Sequence, residues 1–121
     1  MKLVEFELNG HQITFYCEAR DTRNGFAHDA NFFIDSEYVT TGTCHYLNRT
    51  WEHWYFQSAC LACCSQMIAY REDSLKRNLM DERGLSRVAG KNKEDLLRIV
   101  ESDDFIALLK EIKKVLNERV F

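Results

Sequence analysis

The spacing of hydrophobic positions changes period near the middle of the chain, and that change predicts the architecture. Val4, Phe6 and Leu8 alternate with Glu5 and Glu7, the period-two pattern of a strand with one buried face. Asn9-Gly10 follows, a pair favoured in two-residue type I′ hairpins because both positions tolerate positive φ. The partner strand is expected over 11–20, with Ile13, Phe15, Cys17 and Ala19 on one face. Asp21-Thr22-Arg23-Asn24-Gly25 is a turn cluster. A third strand is expected over about 26–34, with Phe26, His28, Ala30, Phe32 and Ile34 sharing a face. After Asp35-Ser36-Glu37, a fourth is expected over about 38–47, rich in Thr, Val and Tyr. Short turns between consecutive strands predict an antiparallel meander over 1–47, with one face under helix and the other wet.

From Trp51 the period lengthens. Trp54, Leu61, Ile68 and Leu75 recur every seven residues, with Cys64 and Leu79 between them at helical spacing. This predicts a long helix within 50–84, either unbroken or interrupted near Asp73-Ser74. Thr50 suits its N-cap, Glu52 faces the positive end of its dipole, and Gly84 suits its C′ position. The segment 85–89 has no clear pattern. Asn92 can cap a helix through Val100, and Ser102 or Asp103 a final one carrying the stripe Phe105, Leu108, Leu109, Ile112, Val115 and Leu116. The expected fold class is therefore α+β in a single domain: a four-stranded antiparallel β-meander, a long helix, then one or two helices within 92–121.

Composition narrows the class. At 121 residues, 45% hydrophobic and 12% aromatic, the chain is globular rather than disordered. Its apolar runs are too short to cross a bilayer, and Met1 to Glu5 lacks a signal-peptide apolar region, so a cytoplasmic protein with no membrane contact is expected. The cysteines Cys17, Cys44, Cys60, Cys63 and Cys64 are odd in number and lack framework spacing, which predicts reduced thiols packed as small hydrophobes. The net charge is -3; residues 1–50 carry 4 basic and 7 acidic side chains, 51–84 carry 4 and 5, and 85–121 carry 8 and 7. No segment has the basic excess of a non-specific nucleic-acid binder.

Candidate chemistry is sparse. His28 and His45 are expected on one sheet face, opposite or diagonal according to the turn length, with Cys44 pointing the other way. Two imidazoles fall short of a structural zinc site, and partly buried, hydrogen-bonded histidines are the alternative. Cys60-Leu61-Ala62-Cys63 is a C-x-x-C, but it lies inside a predicted helix rather than at an N-terminus, where the dipole would activate a thiol. Ser58, Ala59, Ala62, Cys63, Ser65 and Ala69 instead suit close packing of helix on sheet. Cys17, Cys44, His28, His45 and Asp29 offer the residue types of a small Cys/His or metal-dependent enzyme. No nucleophile elbow, P-loop or H-E-x-x-H is present, so no catalytic, metal or cofactor residue is assigned and a non-enzymatic role is expected.

Contact chemistry is richer. Arg20 and Arg23 flank the loop before the third strand, and Arg49 sits where sheet gives way to helix. Arg23, Asn24, Asn48 and Arg49 are expected to cluster at one end of the meander, where arginine forks can hold phosphate or carboxylate. Pairing of Arg49 or Arg23 with Glu52 or Asp21 is the competing reading. Tyr46, Trp51, Trp54, Tyr55 and Phe56 are too many for one helix face; Trp54 fits the buried stripe, and exposed rings beside arginine would resemble interface hot spots. The candidate partner-binding residues are Arg23, His28, His45, Tyr46, Asn48, Arg49, Trp51, Glu52 and Tyr55. Glu5, Glu7, Glu18, Asp29 and Glu37 would suit nucleic-acid mimicry. The last helix, ending in Val120-Phe121, either closes the core or pairs two chains as a homodimer.

Two segments carry a resemblance. Thr22-Arg23-Asn24-Gly25-Phe26-Ala27-His28 and the run from His45 to Ser58 (HYLNRTWEHWYFQS) resemble small phage and prophage accessory proteins with T-R-x-G-F-x-H and Y-x-N-R-T-W-E-x-aromatic-x-aromatic-Q-S segments. The resemblance covers about residues 16–60. By position, Arg23, Gly25, Phe26, His28, Asn48, Arg49, Thr50, Trp51 and Glu52 match; the cysteines from Cys60 to Cys64 lie outside the pattern. It implies a protein of the bacterial cytoplasm that binds and modulates or inhibits a host protein or ribonucleoprotein, with a defence system such as CRISPR–Cas among the candidate targets. A nucleic-acid-binding module using Arg20, Arg23, Arg49 and exposed aromatics is the alternative.

Overall fold

A computed structural model describes residues 1–46, 52–88 and 90–121. Strands β1 (Lys2–Leu8), β2 (His11–Thr22), β3 (Gly25–Ile34) and β4 (Glu37–Tyr46) form one antiparallel sheet in the order β1-β2-β3-β4. Helices α1 (Glu52–Leu79), α2 (Lys93–Glu101) and α3 (Asp104–Glu118) follow, giving the α+β meander-then-helices fold that the pattern predicts.

Both turns at one end of the sheet are tight. Leu8 pairs with His11 across Asn9 and Gly10, at φ 52° and 81°, as a type I′ hairpin requires. Ile34 pairs with Glu37 across Asp35 and Ser36, also left-handed at φ 50° and 67°. Asp35 is suited to that conformation because its carboxylate is engaged: it accepts from the Gln12 backbone N–H at 2.9 Å and meets His11 Nδ1 at 2.7 Å. These bonds hold its carboxyl below the usual carboxylate range, the His11 bond foremost.

A β-bulge decides the far half of β4. Phe33 pairs with Tyr38 but Phe32 pairs with Thr40, which leaves Val39 as the extra residue. Beyond it every β4 side chain changes face. His28 therefore lies opposite Cys44, on the same face, while His45 lies opposite Ala27 on the other. The expectation that His28 and His45 share a face, with Cys44 turned away, is corrected: it assumed an unbroken register.

The core is built from Val4, Ile13, Phe15, Cys17, Ala30 and Phe32 of the sheet, with Phe15 and Phe32 stacked at 4.6 Å. Phe56, Ala59, Cys60, Cys63 and Cys64 of α1 and Leu109, Ile112 and Leu116 of α3 close it. The face of α1 turned to the sheet is thus made of small side chains beyond Phe56. A Cβ on Gly42 would stand 2.4 Å from the Ala59 carbonyl oxygen, so β4 and α1 approach too closely for anything larger. This corrects the seven-residue stripe at its start: Trp54 is 64% exposed. Ala19 is also exposed, because β1 ends opposite Cys17 and gives it no neighbour on that side.

α1 runs unbroken and ends at Leu79, before Gly84. Gly84 closes a following turn instead, at φ 76°, where its N–H donates to the Asp81 carbonyl. Asn92 caps α2 by accepting from the Asp95 N–H, and Asp103, not Ser102, caps α3 by accepting from the Ile106 N–H. Arg71 reaches Asp103 at 3.2 Å and Gln57 donates to the Leu116 carbonyl at 2.8 Å, so α3 closes the core within the single chain. Among the described residues no helix is long and apolar enough to cross a membrane.

Candidate functional site

Asn48, Arg49, Thr50 and Trp51, the centre of the predicted junction, lie outside the described residues. Four of the other candidates come together where the start of α1 meets the sheet. β3 turns His28 inward, the bulge turns Tyr46 inward, and the first turns of α1 bring Glu52, Tyr55 and Phe56 to one side at helical spacing. The His28 ring is 4.4 Å from Tyr46, 5.8 Å from Tyr55 and edge-on to Phe56 at 4.2 Å. Tyr46 and Tyr55 stack at 4.0 Å, and Phe26 lies against Tyr46 at 5.5 Å. The Tyr46 hydroxyl hydrogen-bonds His28 Nε2 at 3.2 Å, and Glu52 Oε1 stands 3.6 Å from the same nitrogen.

His28 is fully buried and Tyr46 nearly so. Both fix the start of α1 to the sheet, and a partner at this junction would meet Glu52 and Tyr55 rather than them. Each ring pair adds roughly 0.5–1.5 kcal/mol beyond its buried area, which suits a structural clamp. Glu52 approaches His28; the pairing expected between Glu52 and Arg49 lies outside the described residues.

Arg23, in the β2–β3 turn, and His45, on the outer face, line a shallow cleft of about 370 Å³ with Asn24 and Phe26. Arg20 is engaged nearby: its Nε donates to Asp29 Oδ2 at 2.6 Å, and Thr43 donates to Asp29 Oδ1 at 2.7 Å. Partial burial pushes the Asp29 carboxyl up, but the Arg20 and Thr43 bonds outweigh it and leave it below its ordinary range.

The cysteines belong to the packing. Cys17 and Cys60 place their sulfurs 3.6 Å apart, and Cys63 donates to the Ala30 carbonyl at 3.3 Å. Contact with Cys17, reinforced by burial, pushes the Cys60 thiol far up, and burial pushes Cys63 and Cys64 up to about 12. Thiols so protonated are poor nucleophiles. Among the described residues, no three His, Cys, Asp or Glu side chains are arranged to hold a metal ion.

One surface escaped the sequence reading. On the sheet face turned away from the helices, Tyr16 meets Phe33 edge-on at 5.5 Å and Phe33 meets Tyr38 at 5.6 Å. Leu3, paired with Tyr16, extends this patch; Leu3 is 50% exposed and Tyr38 60%. Glu5 and Glu18 stand on the same face, and the Tyr38 hydroxyl, Thr41 and Asn31 form a hydrogen-bonded border. The signal was the apolar residues on the polar parity of each strand; Tyr38 joins them through the two-residue turn, and only Thr41 on the border needed the bulge.

Compared with protein-family models, curated proteins and solved structures, the chain matches none.

Proposed function

We propose that this protein is a non-enzymatic binding protein whose contact surface is the outer face of the sheet, and that its partner is a host protein or ribonucleoprotein in a bacterial cytoplasm. The observation that carries the reading is the uncovered cluster of Leu3, Tyr16, Phe33 and Tyr38 among acidic side chains. Water-exposed aromatic rings held rigid by their neighbours lose little freedom on binding and are enriched at interface hot spots. The charge supports a basic partner surface: residues 1–50 carry 7 acidic and 4 basic side chains, whereas residues 51–121 carry twelve of each, so the whole excess sits with the sheet. The phage or prophage setting, with a defence system such as CRISPR–Cas as target, rests on the two motif segments. The nucleic-acid alternative loses Arg20 to its bond with Asp29.

The test is affinity capture of the tagged protein from bacterial lysate, with and without nuclease, beside the variant Tyr16→Ser/Tyr38→Ser. The expected result is a stoichiometric protein partner that survives nuclease and is lost with the variant. Loss on nuclease treatment would favour nucleic acid, and an empty lane would refute the binding reading.

A further inference from the structure

At the tight-turn end of the sheet, α3 passes the β3–β4 turn and leaves an open cleft of about 720 Å³. That is within the range of about 300–1,000 Å³ typical of ligand clefts. Its floor is apolar: Ile34 and Val39 come from the strands, and Phe105 and Leu108 from α3. The bulge supplies Val39, the residue that β3 leaves unpaired. Its rim is acidic, with Asp35 and Glu37 on the sheet side and Asp104 and Glu111 on the helix side.

Among the described residues, no lysine or arginine lines this cleft. Lys110, Lys113 and Lys114 sit on the same helix, yet none of them reaches it. Among the described lining residues the one imidazole is that of His11, whose Nδ1 is already bonded to Asp35 at 2.7 Å. Like charges gathered around low-dielectric walls focus a negative potential that a cationic occupant relieves. The rim carboxylates do not converge into a metal site, since no such group of three exists among the described residues. The complementary occupant therefore spreads its positive charge and carries apolar groups between the charges.

We infer that this cleft docks a cationic amphipathic segment of a partner protein, with leucine-type side chains on the floor formed by Val39, Phe105 and Leu108 and lysine or arginine side chains at the carboxylate rim. This is helix-in-groove recognition, in which apolar anchors recur at helical spacing and flanking charges set orientation. The inference stands apart from the outer-face reading, and its floor and rim residues are not those of the outer face. Tyr38 borders both surfaces, so the test leaves it unchanged.

The probe is a fluorescein-labelled amphipathic peptide of leucine and lysine at helical spacing, read by fluorescence anisotropy against the full chain. Its leucine–glutamate counterpart and a lysine-only peptide of equal length are the comparisons. The leucine–lysine peptide is expected to bind, more weakly as salt rises, and both comparison peptides to bind at least about tenfold more weakly. Glu37→Lys/Glu111→Lys reverses two exposed rim charges and is expected to weaken binding about tenfold with an unchanged circular dichroism spectrum. Ala107→Arg, on the exposed rim of α3, is expected to do the same by obstruction. Glu5→Lys/Glu18→Lys makes the same charge change on the outer face and is expected to weaken binding less than about threefold.

No binding by wild-type protein, equal binding of the lysine-only peptide, undiminished binding by the folded cleft variants, or an equal loss in the outer-face variant would each overturn the inference. None of these outcomes bears on the partner captured through Tyr16 and Tyr38.

Discussion

Gly42→Ala adds one methyl group at the closest approach between sheet and helix. One effect favours the change. A strand-interior glycine is destabilising by roughly 0.5–1 kcal/mol relative to alanine, much of it the greater freedom of the unfolded chain. The added Cβ, however, would stand 2.4 Å from the Ala59 carbonyl oxygen, 2.8 Å from the Cys63 nitrogen and 2.9 Å from Cys63 Sγ. The two shortest contacts are to helix backbone, which no rotamer change can relieve, so α1 itself must move away from the core. Overpacking of this kind costs typically about 1–3 kcal/mol, and a rigid backbone obstacle places this site at the upper end or above. The net expectation is a loss of about 2 kcal/mol. With an unfolding entropy of about 2.1 cal/mol/K per residue over 121 residues, that lowers Tm by about 8 °C. Thermal and urea unfolding followed by circular dichroism would measure it. Cys63→Ala in the same chain removes only the sulfur contact and should restore little. A Gly42→Ala protein at least as stable as wild type would refute the close-approach argument, because only its local gains would then remain.

The register of α1 makes a paired prediction: Phe56→Ala should cost about 3–5 kcal/mol, whereas Trp54→Ala should stay within about 0.5 kcal/mol in the same urea titration. Asp29, Asp35 and Asp103 have carboxyls lowered by their folded-state partners. Their contribution to stability is therefore present above the unfolded carboxylate pKa of about 3.9 and is lost as pH falls through the lower folded values. Asp35→Asn should flatten this acid limb in a pH series of unfolding midpoints. Cys17, Cys60, Cys63 and Cys64 are buried and Cys44 only partly so. A thiol reagent at neutral pH should label native protein at Cys44 first, with the other four following global opening; rapid labelling at Cys63 or Cys64 would contradict their packing.

Local chemistry determined much of this fold without help from tertiary contacts. Asn9-Gly10 sets a hairpin because two left-handed residues match the strand twist. Asn92 and Asp103 begin helices because their side chains supply acceptors to orphan N–H groups. The alternation in β1 and the stripe of α3 place their own buried faces, since periodicity and burial coincide there. The candidate site was legible only as a neighbourhood. Its residue types pointed to the sheet–helix junction, and Glu52, Tyr55, His28 and Tyr46 do gather there.

Tertiary structure decided which of those residues face solvent. Val39 is an extra residue with no sequence mark, yet it moves His45 to the outer face and Tyr46 to the inner, because side chains alternate with a period of two and one insertion inverts every later position. Likewise the periodicity of α1 offered Trp54 to the core, but a backbone as near as Ala59 is to Gly42 admits only small side chains, so Ala59, Cys60, Cys63 and Cys64 occupy it. The acidic cleft joins residues 34–39 to 104–111, which only the packing of α3 beside the β3–β4 turn brings together. Sequence thus set the elements, whose causes act over a few residues. Packing set the surfaces, whose causes lie in how closely distant backbones can approach.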